Sequence, residues 1–293
     1  MTIDQLITAH GLPPAYSVVV EQFWQPLATA IARAAASKKP LIVGINGAQG
    51  SGKSTVCAFL EVLLAARQLR AVTLSIDDLY LTKAERMAVA REVHPLFSIR
   101  GVPGTHAPGL GMAIIEHVRA GRSFEMPRFD KGTDDRSSHP ERIEGPVDVL
   151  LLEGWCVACR PQADEELLDP INALERDEDP EGIWRAVVNL WLRGDYRVLF
   201  DQLDMLVMLK VEDFDSVRRN RALQEDKLRA RNPKAPGLMS KAELDRFLDL
   251  YERLTLHMLE DLPRRADFVF DIGPDQLPKS LPPRLAPQGL AKA

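Results

Sequence analysis

Residues 41–55, LIVGINGAQGSGKST, constrain this chain more than any other stretch. A short run rich in Ile and Val leads into Gly47, and Gly52-Lys53-Ser54 follows after four intervening residues. The next segment, VCAFLEVLLAARQ, carries its apolar residues at helical spacing. Strand, glycine-rich turn and helix in that order make a P-loop, a backbone built to hold a polyphosphate. Gly47, Gly50 and Gly52 let the chain curl until its N–H groups point inward. Nucleotide is therefore expected on Gly47, Ala48, Gln49, Gly50, Ser51, Gly52, Lys53, Ser54 and Thr55. Lys53 supplies a point charge for the β- and γ-phosphates, and the Ser54 hydroxyl is the expected Mg²⁺ ligand.

Apolar runs at 41–46, 71–76, 147–152, 205–211 and 266–272 read as strands, with helical patterns between them. Strands alternating with helices predict a three-layer α/β/α fold with a mainly parallel sheet, whose ligands sit at the carboxyl ends of the strands. The 293 residues and a 45% hydrophobic fraction suffice for one such domain. We expect an N-terminal helical segment over 1–40, one amphipathic helix after Pro13-Pro14, packed on the core. The P-loop domain then covers 41–273, with a helical lid around 218–240, and a loosely ordered Pro-rich tail covers 274–293. The acidic stretch 161–180 reads as peripheral.

Net charge is −5, which gives no reason to expect nucleic acid or an anionic membrane as partner. No run approaches the ~18 apolar residues of a membrane span, and the first residues do not read as a signal peptide. Three cysteines cannot all pair, so a cytoplasmic protein is expected. Cys156 and Cys159 form a lone CxxC without the second ligand pair a zinc site needs, and read as small residues at a strand end.

Three strand ends carry chemistry: the P-loop, Asp77-Asp78 and Glu153. Their convergence on one sheet edge predicts one active site for phosphoryl transfer. Glu153 closes a continuously apolar strand and is placed to hold Mg²⁺ directly or through water. Asp77 ends the strand expected beside the P-loop strand, where its carboxylate would accept the proton of an attacking hydroxyl. Its neighbour Asp78 has the same charge, so repulsion is expected to raise the pKa of one of them; either Asp could instead cap the helix after Leu81. The basic helix over 213–231 offers Arg218, Arg219, Arg221, Lys227, Arg229 and Arg231 ahead of a Pro/Gly break at 232–237. That suits a lid whose arginines, Arg221 foremost, fold over the phosphates. A Gly/Pro-rich stretch at 100–109 reads as a functional loop. Guanine-reading, transporter and protein-kinase signatures are all absent from the sequence.

Ser75-Ile76-Asp77-Asp78-Leu79-Tyr80 after the P-loop resembles the D-glycerate 3-kinases, relatives of uridine kinase, pantothenate kinase and phosphoribulokinase. The resemblance continues through Arg100-Gly101-Val102-Pro103-Gly104-Thr105-His106, Pro127-Arg128-Phe129-Asp130-Lys131, Asp135-Arg136 and Leu152-Glu153-Gly154-Trp155, and reaches the lid at Arg221-Ala222-Leu223-Gln224-Glu225. It implies transfer of the ATP γ-phosphate to D-glycerate, with Asp77 as general base and Glu153 attending Mg²⁺. The chain departs from the pattern at Ala107, where the family often has an acid, and at Asn220, where it usually has Trp. Candidate acceptor residues are Asp78, Tyr80, Arg100, Thr105, His106, Arg128, Asp130 and Arg136, with Arg100, Arg128 or Arg136 on the acceptor carboxylate. A nucleoside or pantothenate acceptor stays open beside glycerate, as does a non-catalytic ATP-binding regulator. A nucleoside would need stacking surfaces, and the sequence offers few aromatics near these motifs. Oligomeric state is not legible.

Overall fold

Val149–Gly154 is buried at every position, and so is Leu41–Gly47, because the two pair in parallel at the centre of a sheet covered on both faces. The structure, a computed structural model, describes residues 2–231 and 238–285. The chain opens with α1 (Ile3–Ala9), α2 (Tyr16–Val19), a π-helical turn (Val20–Trp24) and α3 (Gln25–Ser37). The rod over 16–37 is the expected amphipathic helix. The extra helix α1 starts on a capping box between Thr2 and Gln5.

Next come β1 (Leu41–Gly47), α4 (Lys53–Ala65), β2 (Ala71–Ser75), a 3₁₀ turn (Ile76–Leu79), α5 (Lys83–Glu92) and α6 (Pro108–Arg119). Four short strands follow, β3 (Phe124–Met126), β4 (Phe129–Asp130), β5 (Asp135–Arg136) and β6 (Glu141–Ile143). They nest as two antiparallel ribbons, β3 with β6 and β4 with β5. Then β7 (Val149–Gly154), α7 (Ala173–Glu178), α8 (Ile183–Arg193), α9 (Asp195–Phe200) and β8 (Met205–Lys210) lead to α10 (Phe214–Arg231), α11 (Lys241–Asp261) and β9 (Phe268–Asp271).

The main sheet has the order β2-β7-β1-β8-β9 and is parallel throughout. Asp77 therefore does not end the strand beside the P-loop strand, as the sequence led us to expect; Glu153 does. The most apolar strand, β7, takes the doubly covered position next to β1, while β2, with Thr73 and Ser75 only half-buried, goes to the edge. Alternate residues face opposite layers. Leu41, Val43, Ile45 and Leu151 pack with Leu27, Ile31, Phe59 and Leu60 of α3 and α4. Ile42, Leu150 and Leu152 belong to the core formed with α6, α8, α9 and α11. Each fully buried Leu or Ile contributes about 1.5–3 kcal/mol, which is why this alternation sets the layers. A third, smaller cluster joins Ala48 of the P-loop to Phe214 and Val217 of α10 and to Leu244 and Leu248 of α11. It seats the expected lid helix against the phosphate loop.

Two expectations change. In the acidic stretch 161–180, Glu175 and Asp179 are fully buried rather than peripheral, because arginines reach them from other helices. Arg253 grips Glu175 through two hydrogen bonds of 2.7 Å, and Arg185 lies 3.0 Å from Asp179. The tail is packed as far as Leu285, with Ile272 bridging Pro278 and Leu277 and Leu281 on the α3 side of the core. The break at 232–237 and the tail beyond 285 lie outside the described residues. No helix among the described residues is long and apolar enough to cross a membrane.

Candidate active site

The carboxyl ends of β1, β7 and β2 open into a cleft of about 720 Å³. Gln49, Gly50, Gly52, Lys53, Ser54 and Thr55 form one wall. Gly52 caps α4 in a left-handed conformation, so the first turn of the helix presents Lys53 and Ser54 to the cleft. Gly47, Ala48 and Ser51 are buried and do not line it. Helix α10 lies across this loop. A Cβ on Gly50 would stand 2.8 Å from the Cβ of Asn220, so only glycine admits this approach.

Glu153 enters the cleft floor from the end of β7. The Ser54 hydroxyl donates to its Oε1 at 3.1 Å, while its buried Oε2 has no hydrogen-bond partner among the described residues. An orphaned carboxylate oxygen beside a hydroxyl, next to a phosphate cradle, is a hard oxygen pair that fits Mg²⁺. The sequence-expected pair is thus in contact.

Asp77 stands in the 3₁₀ turn after β2, where its N–H donates to Ser75 Oγ at 3.3 Å. Its Oδ2 accepts from Lys131 Nζ at 2.8 Å. Burial pushes its pKa up, but the charge and hydrogen bond of Lys131, followed by the charge of Lys53, outweigh this and hold it below the ordinary carboxylate value. The expected like-charge repulsion does not raise it, because Asp78 turns away. Asp78 accepts from Arg128 at 2.8 Å and from the Phe129 N–H at 3.0 Å, tying the β4 ribbon to the sheet edge. Neither Asp caps α5; Thr82 does.

The 100–109 loop is ordered by its own donors and by aromatic side chains. The Thr105 hydroxyl donates to Val102 O at 2.7 Å and accepts from Gly101 N–H at 3.1 Å. Trp155 Nε1 donates to Gly101 O at 2.9 Å, and the Tyr251 hydroxyl to Arg100 O at 3.3 Å. Gly101 has φ +147°, and a Cβ there would meet the Tyr251 hydroxyl at 2.2 Å. Thr105 is therefore a buried loop pin, outside the lining of the cleft. His106 also lies behind the lining, stacked on Tyr80 with ring centroids 4.3 Å apart and bonded to the Tyr196 hydroxyl at 2.6 Å. Burial lowers its pKa to about 4, so it is neutral at physiological pH.

Of the candidate acceptor residues, Asp78, Tyr80 and Arg100 line the cleft. Arg100 does so with one nitrogen ion-paired to Asp134 and its guanidinium over the Phe129 ring. Arg128 is spent on Asp78 and Glu141, and Arg136 donates to Tyr80 O at 2.8 Å. Asp130 is exposed and accepts from Gly132 N–H at 2.8 Å. These three lie outside the lining. On α10, Arg221 lines the cleft with Nη1 3.0 Å from Glu225, whereas Arg218 pairs with Asp249 and Glu252 and Arg219 with Ser216. The side chains of Lys227 and Arg231 are outside the described set.

Sequence reasoning missed Lys131, Trp155, Gln224, Phe247 and Tyr251, which all line the cleft. Lys131 stood in the quoted PRFDK segment, and the turn between β4 and β5 returns it to Asp77. Cys156 and Cys159 are buried free thiols whose pKa values burial pushes up, so they are inert.

No family model matches the chain. It is 33% identical over 226 residues to the uncharacterized kinase mug58 of Schizosaccharomyces pombe, covering 73% of this chain and 79% of that protein. It is 31% identical over 226 residues to the chloroplastic D-glycerate 3-kinase of Arabidopsis thaliana, covering 72% of this chain and 46% of that enzyme. The chain thus spans less than half the length of the plant protein. Among solved structures, the D-glycerate 3-kinase of Cryptococcus neoformans superposes with a TM-score of 0.71 at 24% identity, over 88% of this chain and 97% of that one, which shows the shared fold. With the P-loop, the Ser54–Glu153 contact and the Asp77 turn all in one cleft, and with relatives above 30% identity, the chain belongs to the D-glycerate 3-kinase family of P-loop kinases and is a phosphotransferase.

Proposed function

We propose that this protein transfers the γ-phosphoryl group of ATP to the terminal hydroxyl of D-glycerate, giving 3-phosphoglycerate and ADP. The observation that carries the reading is the meeting of an ionised Asp77 and two cations, Arg100 and Lys131, opposite the phosphate-binding wall of one cleft. The kinship with D-glycerate 3-kinase supports it. Lys53 and the P-loop amides hold the β- and γ-phosphates. Asp77 takes the hydroxyl proton as the new O–P bond forms and the bond to the β-phosphate oxygen breaks. Ser54 and Glu153 would hold Mg²⁺, which neutralises the charge shared by the β- and γ-phosphates when bound. Arg221 adds a positive charge from α10.

A nucleoside acceptor is the second reading, and one observation favours it. Tyr80, Phe129, Trp155, Phe247 and Tyr251 give the cleft more aromatic surface than the sequence suggested, because they converge from distant segments. Each of these rings already has a partner, however. Tyr80 stacks on His106, Phe129 lies under Arg86 and Arg100, and Trp155 and Phe247 each pack against Tyr251, at 4.8 and 5.1 Å. A screen of ATP consumption over D- and L-glycerate, glycerol, uridine and pantothenate tests the assignment. Activity on D-glycerate is the expected result. No turnover of glycerate with clear turnover of a nucleoside or pantothenate would overturn it.

Arg100 gives a sharper test of the acceptor pocket. Its free edge offers parallel charge-assisted hydrogen bonds to a carboxylate. Arg100→Met is expected to raise KM for D-glycerate about 30-fold or more, the order of 2 kcal/mol lost with one partner of such a pair, and to leave KM for ATP nearly unchanged. A wild-type glycerate KM in the folded variant would mean that Arg100 serves only Asp134.

Arg221 answers to a different measurement. Its charge matters most while charge moves between the phosphates, so Arg221→Ala is expected to lower kcat about 10²-fold and weaken binding of a non-hydrolysable ATP analogue much less. Equal losses in affinity with no further loss of rate would make Arg221 an anchor for ATP alone.

A further inference from the structure

Lys131 has been given no step of its own in the transfer, yet it touches the base. It sits in the turn between β4 and β5 with its side chain 62% exposed, and among the described residues its ammonium has one partner, Asp77 Oδ2 at 2.8 Å. Of the other acceptor-side cations, Arg128 is held by Asp78 and Glu141 and Arg136 by the Tyr80 carbonyl. Arg100, with one nitrogen on Asp134 and its free edge turned to the cleft, makes no ion pair with Asp77 among the described residues. Lys53 stands in the phosphate wall itself, at the start of α4.

We propose that Lys131 selects an anionic acceptor, leaving Asp77 for the acceptor's carboxylate and so freeing the base only when that carboxylate is present. The inference rests on the reading of the acceptor as a hydroxy acid. In a three-carbon acid, carboxylate and terminal hydroxyl lie roughly 4 Å apart by bond lengths alone. A hydroxyl placed on Asp77 therefore brings the carboxylate within one short step of the Lys131 ammonium. Lysine suits such an exchange, being a compact charge on a flexible stem, where a guanidinium fork locked on two acids does not.

The surroundings of Asp77 leave this control to Lys131. Lys53 faces it from α4, Lys131 from the β4–β5 turn, His106 from the loop before α6, Tyr80 from its own turn, Cys156 from beyond β7 and Tyr251 from α11. Burial keeps the imidazole, both phenols and the thiol neutral. Adjacent Asp78 is neutralised by Arg128. Once ATP occupies Lys53, Lys131 is the remaining cation on the base. While it stays there the carboxylate is a poor proton acceptor, as it does when the acceptor carries no charge.

The test compares kcat/KM for D-glycerate and for its uncharged amide, D-glyceramide, in the wild type and in Lys131→Met and Lys131→Arg. Lys131→Met is expected to lose about 30-fold or more on the acid. On the amide it is expected to hold its rate or gain, so that the preference for charge shrinks by at least the same factor. Lys131→Arg should recover part of the preference. Unfolding temperature and ATP-analogue affinity of both variants are expected to match the wild type, since the ammonium is exposed. A parallel loss on acid and amide would show that Lys131 merely pins the β4–β5 turn, and an unchanged preference would show that it meets no carboxylate; either overturns the inference. A wild type inactive on glycerate fails the substrate reading instead, before any variant is compared.

Discussion

Lys53→Ala is expected to leave a folded protein with phosphoryl transfer reduced by at least about 10²–10³-fold, the worth of one preorganised positive donor at developing phosphate charge. Lys53 stands in the first turn of α4, half-buried at the cleft wall, and makes no ion pair or side-chain hydrogen bond among the described residues. Removing it therefore deletes nothing that holds the loop. Alanine is the best helix former, so α4 loses no propensity. The loop is shaped instead by Gly50 and Gly52 in left-handed conformations and by the Ser51 N–H to Ala48 O bond of 3.1 Å. Steady-state turnover with thermal unfolding of the same sample checks the result. Unchanged turnover would take the P-loop out of the mechanism.

The backbone geometry of the P-loop was legible because every determinant is local. A strand, a turn needing glycine and a helix start follow one another within fifteen residues, and no distant partner can alter the outcome. The convergence of Asp77 and Glu153 on one edge was legible too, since parallel strands all end on the same side. Strand order was not. Both β2 and β7 read as strands, and only burial decides which takes the seat beside β1; the half-polar β2 loses it to β7.

Partners of charged groups were the least legible part. Arg100, Arg128, Arg136 and Arg218 look equally available along the chain, yet each is claimed by a group at least 31 residues away. Such pairing depends on where a ribbon or helix lands in three dimensions, which residue spacing does not record. The buried Glu175 and Asp179 show the same thing from the other side. A carboxylate reads as surface until an arginine from another helix makes its burial tolerable. Lys131 was overlooked for a related reason. Its contact with Asp77 comes from a ribbon of two-residue strands, too short to leave a pattern in the sequence.

Asp77 carries the second large effect. Asp77→Asn keeps the shape of the side chain and removes the proton acceptor, so kcat is expected to fall by about 10²–10⁴ with ATP affinity roughly kept. The pH profile gives an independent sign. Because Asp77 is held below the ordinary carboxylate value, it is ionised across the neutral range, and its contribution is lost only as pH falls through that depressed value. The acid limb of kcat/KM in the wild type should accordingly lie below the usual carboxylate range, and the residual activity of Asp77→Asn should lack that limb. Asp78→Asn is expected to act differently. Its two hydrogen bonds hold Arg128 and the Phe129 backbone, so its loss loosens the ribbon that carries Lys131 and shows mainly in the glycerate KM. Should Asp78→Asn cost more in kcat than Asp77→Asn, the base has been assigned to the wrong carboxylate, and the pairing of Asp77 with Lys131 would have to be read as scaffold.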